Sequence, residues 1–232
     1  MYVYPVPAER KPRTRAPHQL PPGRHKLSRA YVQTNQRQRI FDAIADVTSL
    51  AGYAAMSVEQ ITGTAGVSRR TFYDAFTSKE DAFLAALDSA IRRLVQSVRR
   101  AYRDSDTFPD GVRNCLAAFL TFLADDPRYA DMLIVEVLAA GTEAIERRNE
   151  MMRRFADLLR RGAETEPNGL RPPDLTAETI VGGIYEVVYS RILQGQTSQL
   201  PALLPDLAYS MMQPYIGHDR AKREVAKPPA QD

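Results

Sequence analysis

Arg69, Arg70 and Thr71 directly follow Ser68, a residue type that caps helices. An arginine guanidinium can bond bidentately to guanine, and a threonine can meet a thymine methyl or a phosphate. The chemistry on offer is the reading of duplex DNA, if a helix N-terminus carries these side chains into the major groove. Tyr73 and Lys79 add a phenol and an ammonium suited to phosphate oxygens, and Ser57 and Ser68, hydroxyl residues at the starts of the two helices, complete the expected DNA contacts. Catalytic chemistry has no comparable group. His18, His25 and His218 all fall in predicted tails, which leaves the folded body without a histidine base or ligand. Cys115 has no histidine nearby and reads as a small buried hydrophobe. As the only cysteine it excludes an intramolecular disulfide and a multi-cysteine zinc site. There is no G-x-S-x-G elbow, phosphate loop or dinucleotide fingerprint, so no catalytic residue, metal or cofactor is expected.

These residues need short, sharply joined helices to present them. Ile40, Ile44, Val47 and Ala51 mark one face of a helix running from Thr34 and stopped by Gly52. Ser57 and Gln60 form a capping box for a second helix with Val58, Ile61 and Ala65 inside. Gly66 suits the left-handed turn that follows, Val67 plugs the core beneath it, and Ser68 caps a third helix ending near Phe76. Phe72 and Phe76, four apart, face inward. Ser78 with Asp81 opens a long helix whose buried side carries Phe83, Leu87, Ile91, Leu94 and Val98. Beyond it the pattern predicts helices over 109–124, 127–139, 142–162, 176–194 and 201–216, with a loop from Glu166 to Pro173. No strand alternation occurs, and the fold class is all-α.

The string Ile61, Ala65-Gly66-Val67-Ser68, Thr71-Phe72-Tyr73, Phe76 and Ser78-Lys79-Glu80 resembles the tetracycline-repressor (TetR) family of transcriptional regulators. The resemblance is specific over roughly residues 36–85. It implies a three-helix DNA-binding bundle, residues 29–78, and a larger helical ligand-binding and dimerisation domain, residues 79–217. It also implies that Tyr73 and Lys79 contact operator phosphates. The sequence departs from the family at Met56, where a hydroxyl residue is common, and at Thr62-Gly63, which replaces small helix formers.

The resemblance further implies dimerisation through the last two predicted helices. Ile180, Gly183, Ile184 and Val187 on one, and Leu203, Leu207 and Met211 on the other, supply the expected interface. A pocket for a small apolar or amphipathic effector is expected among Phe119, Phe122, Met132, Met151, Met152, Phe155, Tyr185 and Tyr189, since Met-rich aromatic walls adapt to such ligands. Glu136, inside an apolar stretch, is either a polar anchor for that ligand or a partly exposed or ion-paired residue. The implied function is a ligand-responsive repressor bound to palindromic operator DNA as a homodimer. The alternatives are a helical adaptor that binds only protein and an enzyme of unrecognised, carboxylate-only chemistry.

Charge supports a nucleic-acid partner. Residues 1–30 carry a net charge of +6, and the rest of the chain carries −3. Six prolines in residues 1–28 exclude regular structure there, so a disordered basic arm is expected. Residues 218–232 are expected to form a second disordered tail. The longest apolar run, Cys115 to Ala124, is too short to span a bilayer, and Met1 to Pro7 lack the pattern of a secretion leader. The expected location is cytoplasmic, without a membrane partner.

Overall fold

The computed structural model describes residues 29–227, so the predicted basic arm and residues 228–232 lie outside the described residues. Among the described residues the regular structure is entirely helical. None of the helices is long and apolar enough to cross a membrane.

The N-terminal bundle contains α1 (Arg29–Ala51), α2 (Val58–Ala65) and α3 (Arg69–Tyr73), and is closed by the start of α4 (Lys79–Arg103). Ile40, Ile44 and Val47 are buried as their spacing predicts. Ala51 is exposed instead, and Thr48 completes the inner face by donating its hydroxyl to the Ile44 carbonyl at 2.7 Å. Along α4, Phe83, Leu87, Leu94 and Val98 are buried, while Ile91 is half-buried. The first part of α4 belongs to the same core as α1, and the Tyr53 ring meets Phe83 edge-on at 4.8 Å.

The larger bundle contains α5 (Phe108–Asp125), α6 (Pro127–Ala130), α7 (Thr142–Glu164), α8 (Thr176–Leu193), α9 (Leu204–Ile216) and α10 (His218–Val225). Two expectations require correction. The single helix predicted over 127–139 is broken: α6 passes into a π turn, Asp131–Val135, and then a 3-10 turn, Glu136–Leu138. Residues five apart in an α-helix diverge by roughly 140°, whereas a π turn stacks them. The π turn therefore puts Asp131 and Glu136 on one side, where both reach the end of α1.

The predicted C-terminal tail is ordered from His218 to Val225. Gly217, with φ of 79°, ends α9, and α10 buries Ala221. Arg220 clamps the buried Glu166 through two bonds of 2.7 and 3.1 Å. The segment HDRAKREV offers only Ala221 and Val225 as an apolar pair, and its charges conceal the helix from hydropathy alone. The helix predicted over 201–216 also starts differently, as a 3-10 segment, Thr197–Leu203, that leads into α9.

Candidate DNA-reading surface and effector cavity

The turn between α2 and α3 is built by backbone geometry. Gly66 adopts φ 61° and ψ 39°, a conformation that costs glycine nothing. Its N–H donates to the Gly63 carbonyl, and the Val67 N–H donates to that of Thr62 at 3.1 Å. The Arg39 guanidinium holds the outside of the turn by donating to the carbonyls of Ala65 and, at 2.8 Å, Gly66. Nothing in the helical pattern of α1 distinguishes Arg39 from a solvent-facing arginine, and only the fold shows its role.

Ser68 Oγ accepts from the Thr71 N–H at 3.0 Å and also bonds the Thr71 hydroxyl at 2.9 Å. A helix as short as α3, with five residues, has no stability of its own. It is held by Phe72 and Phe76, both buried, whose rings lie 5.5 Å apart and continue to Phe41 at 6.1 Å. Arg69 and Arg70 are consequently exposed, with no carboxylate partner among the described residues. Tyr73 projects beside them, half-exposed, its ring edge-on to Phe72.

Two predicted contact residues also have structural work. Ser57 accepts from the Gln60 N–H, and its own N–H donates to Gln60 Oε1 at 2.9 Å. The Lys79 ammonium donates to the Met56 carbonyl at 3.0 Å and sits 5.3 Å from the Tyr53 ring centre. The Met56 side chain is buried, which explains the absence of a hydroxyl at that position. Thr62 is buried too, and its hydroxyl back-bonds to the Val58 carbonyl at 2.8 Å. A Cβ on Gly63 would meet nothing within 4 Å. Gly63→Ala is therefore expected to stabilise the protein by about 0.8–1 kcal/mol through helix propensity alone. A denaturant midpoint that failed to rise would contradict this reading.

Inside the larger bundle lies a partly open apolar cavity. Its wall includes Phe119, Met151, Met152, Phe155 and Tyr185, five of the predicted pocket residues. The other three point elsewhere. Met132 is fully buried core, Phe122 lies under the Arg93 guanidinium, and Tyr189 stacks on Tyr185 at 6.5 Å. Sequence reasoning missed Cys115, Ile134 and the two wall glycines, Gly111 and Gly162. A Cβ on Gly162 would come within 3.2 Å of the Phe108 ring, and one on Gly111 within 3.3 Å of Tyr102. Cys115 donates its thiol toward the Val98 carbonyl at 3.6 Å, and burial pushes the thiol pKa up to about 12. It is a wall atom that stays protonated at neutral pH, not a nucleophile.

Residues 40–86 match the family model described as bacterial regulatory proteins, tetR family. That stretch, from the middle of α1 into α4, is where the family likeness lies. The "HTH-type transcriptional activator FasR" of Mycolicibacterium smegmatis is 29% identical over 106 residues, covering 46% of this chain and 48% of that protein. The chain thus aligns with only about half the length of that relative. The "fatty acid metabolism regulator protein" of Bacillus subtilis is 24% identical over 173 residues, which is 71% of this chain and 88% of that one. The fold resembles FadR of Bacillus halodurans with a TM-score of 0.69 at 23% identity, covering 76% of this chain and 94% of that one. It also resembles FadR of Bacillus subtilis in complex with stearoyl-CoA, with a TM-score of 0.67 at 21% identity and coverages of 76% and 98%.

The segment after α5 joins the cavity to the helix that supports α3. Asp42 accepts from the Tyr129 hydroxyl at 2.8 Å, and Asp46 from Arg128 at 2.7 Å. Ser49 donates to Asp131, and the Tyr53 N–H donates to Glu136 at 2.6 Å. Asp42, Asp46 and Ser49 recur along α1 at intervals of four and three residues, one face of the helix, and Tyr53 follows just beyond its end. Burial raises the Asp131 pKa, partly opposed by the Ser49 bond. Glu136 is partly exposed, as one of its expected roles required, but its partner is a backbone N–H, not a ligand or a cation. On the other side of the same segment, the Ile134 carbonyl accepts from the Tyr185 hydroxyl at 2.5 Å.

The predicted interface residues divide. Leu207 is buried inside the protomer, and Ile184 and Met211 line the cavity, so these three are not a free surface. Ile180, Val187 and Leu203 are half-buried and Gly183 is exposed. The spacing shows which residues share an apolar stripe, but α8 and α9 are wide enough in apolar character to face both the cavity and the outside.

Proposed function

We propose that the protein is a repressor that binds palindromic operator DNA as a homodimer and is released by an acyl ligand in the central cavity. The observation that carries this reading is the polar seam of residues 128–136, which ties a cavity wall to the helix that supports α3. A cavity with an almost wholly apolar wall suits a hydrocarbon chain. The complex of a similar fold with stearoyl-CoA supports the same ligand chemistry. One reading helix covers few base pairs, so two copies across an inverted repeat supply the affinity and discrimination that one lacks. Ile180, Gly183, Val187 and Leu203 are the residues proposed for the contact between copies, with Arg69, Arg70, Thr71, Tyr73 and Lys79 on the DNA. The basic residues of 1–28 add phosphate contacts in a cytoplasmic regulator.

Selection from a random duplex pool tests this directly. An inverted repeat is the expected product, bound by a species twice the 26.0 kDa chain mass and released by palmitoyl-CoA or palmitate. Enrichment of no sequence, or binding indifferent to both ligands, contradicts the proposal. A second expectation concerns Gly162. Gly162→Leu places a side chain against Phe108 and fills that part of the cavity. Affinity for a sixteen-carbon chain should fall by about tenfold or more, equal to roughly 1.4 kcal/mol, with a smaller loss for a ten-carbon chain. Calorimetric titration of both chain lengths checks it, and equal losses would mean that Gly162 does not limit chain length.

A further inference from the structure

Arg148 lies on the face of α7 that carries Met152 and Phe155 into the cavity wall, four and seven residues further on. Its guanidinium carbon is 3.9 Å from the ring centre of Tyr185, itself part of that wall. Stacking uses the flat face of a guanidinium and leaves its in-plane N–H edge for acceptors. One N–H of that edge donates to Asn149 Oδ1 at 2.9 Å. The Nε–H, however, is buried and meets no hydrogen-bond acceptor. Arg147, Arg153, Arg154 and Arg160 of the same helix all hold a carboxylate, and Arg148 holds none among the described residues. A buried, unmatched donor on a cation needs a partner, and here the guanidinium that carries it sits on Tyr185, a residue of a cavity wall that is almost entirely apolar.

We propose that Arg148, backed by Tyr185, receives the acidic head of the cavity's acyl ligand. This rests on the acyl-ligand reading above and adds the polarity and orientation of the ligand. The hydrocarbon runs past Met152 and Phe155 toward Gly162, while an anionic oxygen takes the unmatched N–H of Arg148. A carboxylate matches the planar fork bidentately, and the phosphates of a coenzyme thioester offer the same anionic oxygens. The head then lies beside Tyr185, whose hydroxyl holds the Ile134 carbonyl at the start of the seam to α1.

The test compares palmitate, palmitoyl-CoA and methyl palmitate by calorimetric titration of the full chain. The wild-type protein should bind at least one anionic form about tenfold or more tighter than the uncharged ester, the range of a charge-assisted hydrogen bond. Whichever anionic form wins identifies the head. Arg148→Met should erase that preference and leave methyl palmitate binding within about twofold. Arg148→Lys, which keeps the charge but not the fork, should retain part of it. Equal binding of all three ligands by the wild-type protein, or an unchanged preference in Arg148→Met, overturns the proposal while leaving the acyl-ligand reading intact. Failure of all three ligands to bind, the ester included, overturns both.

Discussion

Phe72→Ala should abolish operator binding and lower the unfolding free energy by about 3–5 kcal/mol, the usual range for truncating a buried aromatic ring. Phe72 has no exposed surface and contacts Phe76, which continues to Phe41 of α1. The five residues of α3 have too few internal hydrogen bonds to be helical alone. Removing the ring thus costs both core packing and one of the two buried rings that hold α3. Phe72→Leu, which preserves most of the apolar volume, should cost far less, below about 1.5 kcal/mol if the neighbours repack. Denaturant unfolding and anisotropy titration of the selected operator report the two losses separately. An alanine variant that kept operator affinity would show that α3 is held by something other than Phe72.

The joint replacement of Arg69 and Arg70 by alanine should do the reverse, losing DNA and sparing the fold. Both side chains are exposed and neither takes part in an ion pair among the described residues, so the melting temperature should stay put. A good bidentate base contact is worth about 1–3 kcal/mol, and a phosphate contact adds to the salt dependence. Operator affinity should therefore fall by about 100-fold, and the slope of log affinity against log salt should flatten. Titration at several salt concentrations, on the operator and on a scrambled duplex, distinguishes base from backbone contacts. Unchanged binding on both duplexes would remove these arginines from the reading surface.

The sequence exposed the reading surface because its parts are local. Ser57, Gly66, Ser68 and Ser78 each act within four residues of themselves, and each does in space what its position implies. Phe72 and Phe76 share a helix turn and are both buried. What stayed hidden depends on distant partners. Arg39 acts 27 residues away on Gly66, and Glu136 acts 83 residues away on Tyr53. The π turn places Asp131 and Glu136 where they meet Ser49 and Tyr53, a pairing invisible in the apolar string Met132 to Ala140. The cavity was half legible: Met151, Met152 and Phe155 line it, but Met132 has the same chemistry and faces solid core. Periodicity identifies which residues turn inward, and only the packing of neighbouring helices determines whether they meet space or each other. The short helix α10 was missed for the same reason, since its ion pair joins Arg220 to Glu166, 54 residues away.

The proposed boundary between residues 78 and 79 does not divide the protein into two foldable parts. One continuous apolar cluster runs from Ile40 to Ala221, with Phe83 at the base of Tyr53 and the seam of 128–136 laid along α1. Calorimetry should therefore record a single melting transition instead of two. A fragment ending at Ser78 would leave apolar surface on α1 uncovered and would be prone to aggregate. The same continuity restricts the engineer. A chimaera joining this reading head to another member's sensor would have to carry along the first turns of α4 and the residues that face α1, or rebuild both sides of the junction together.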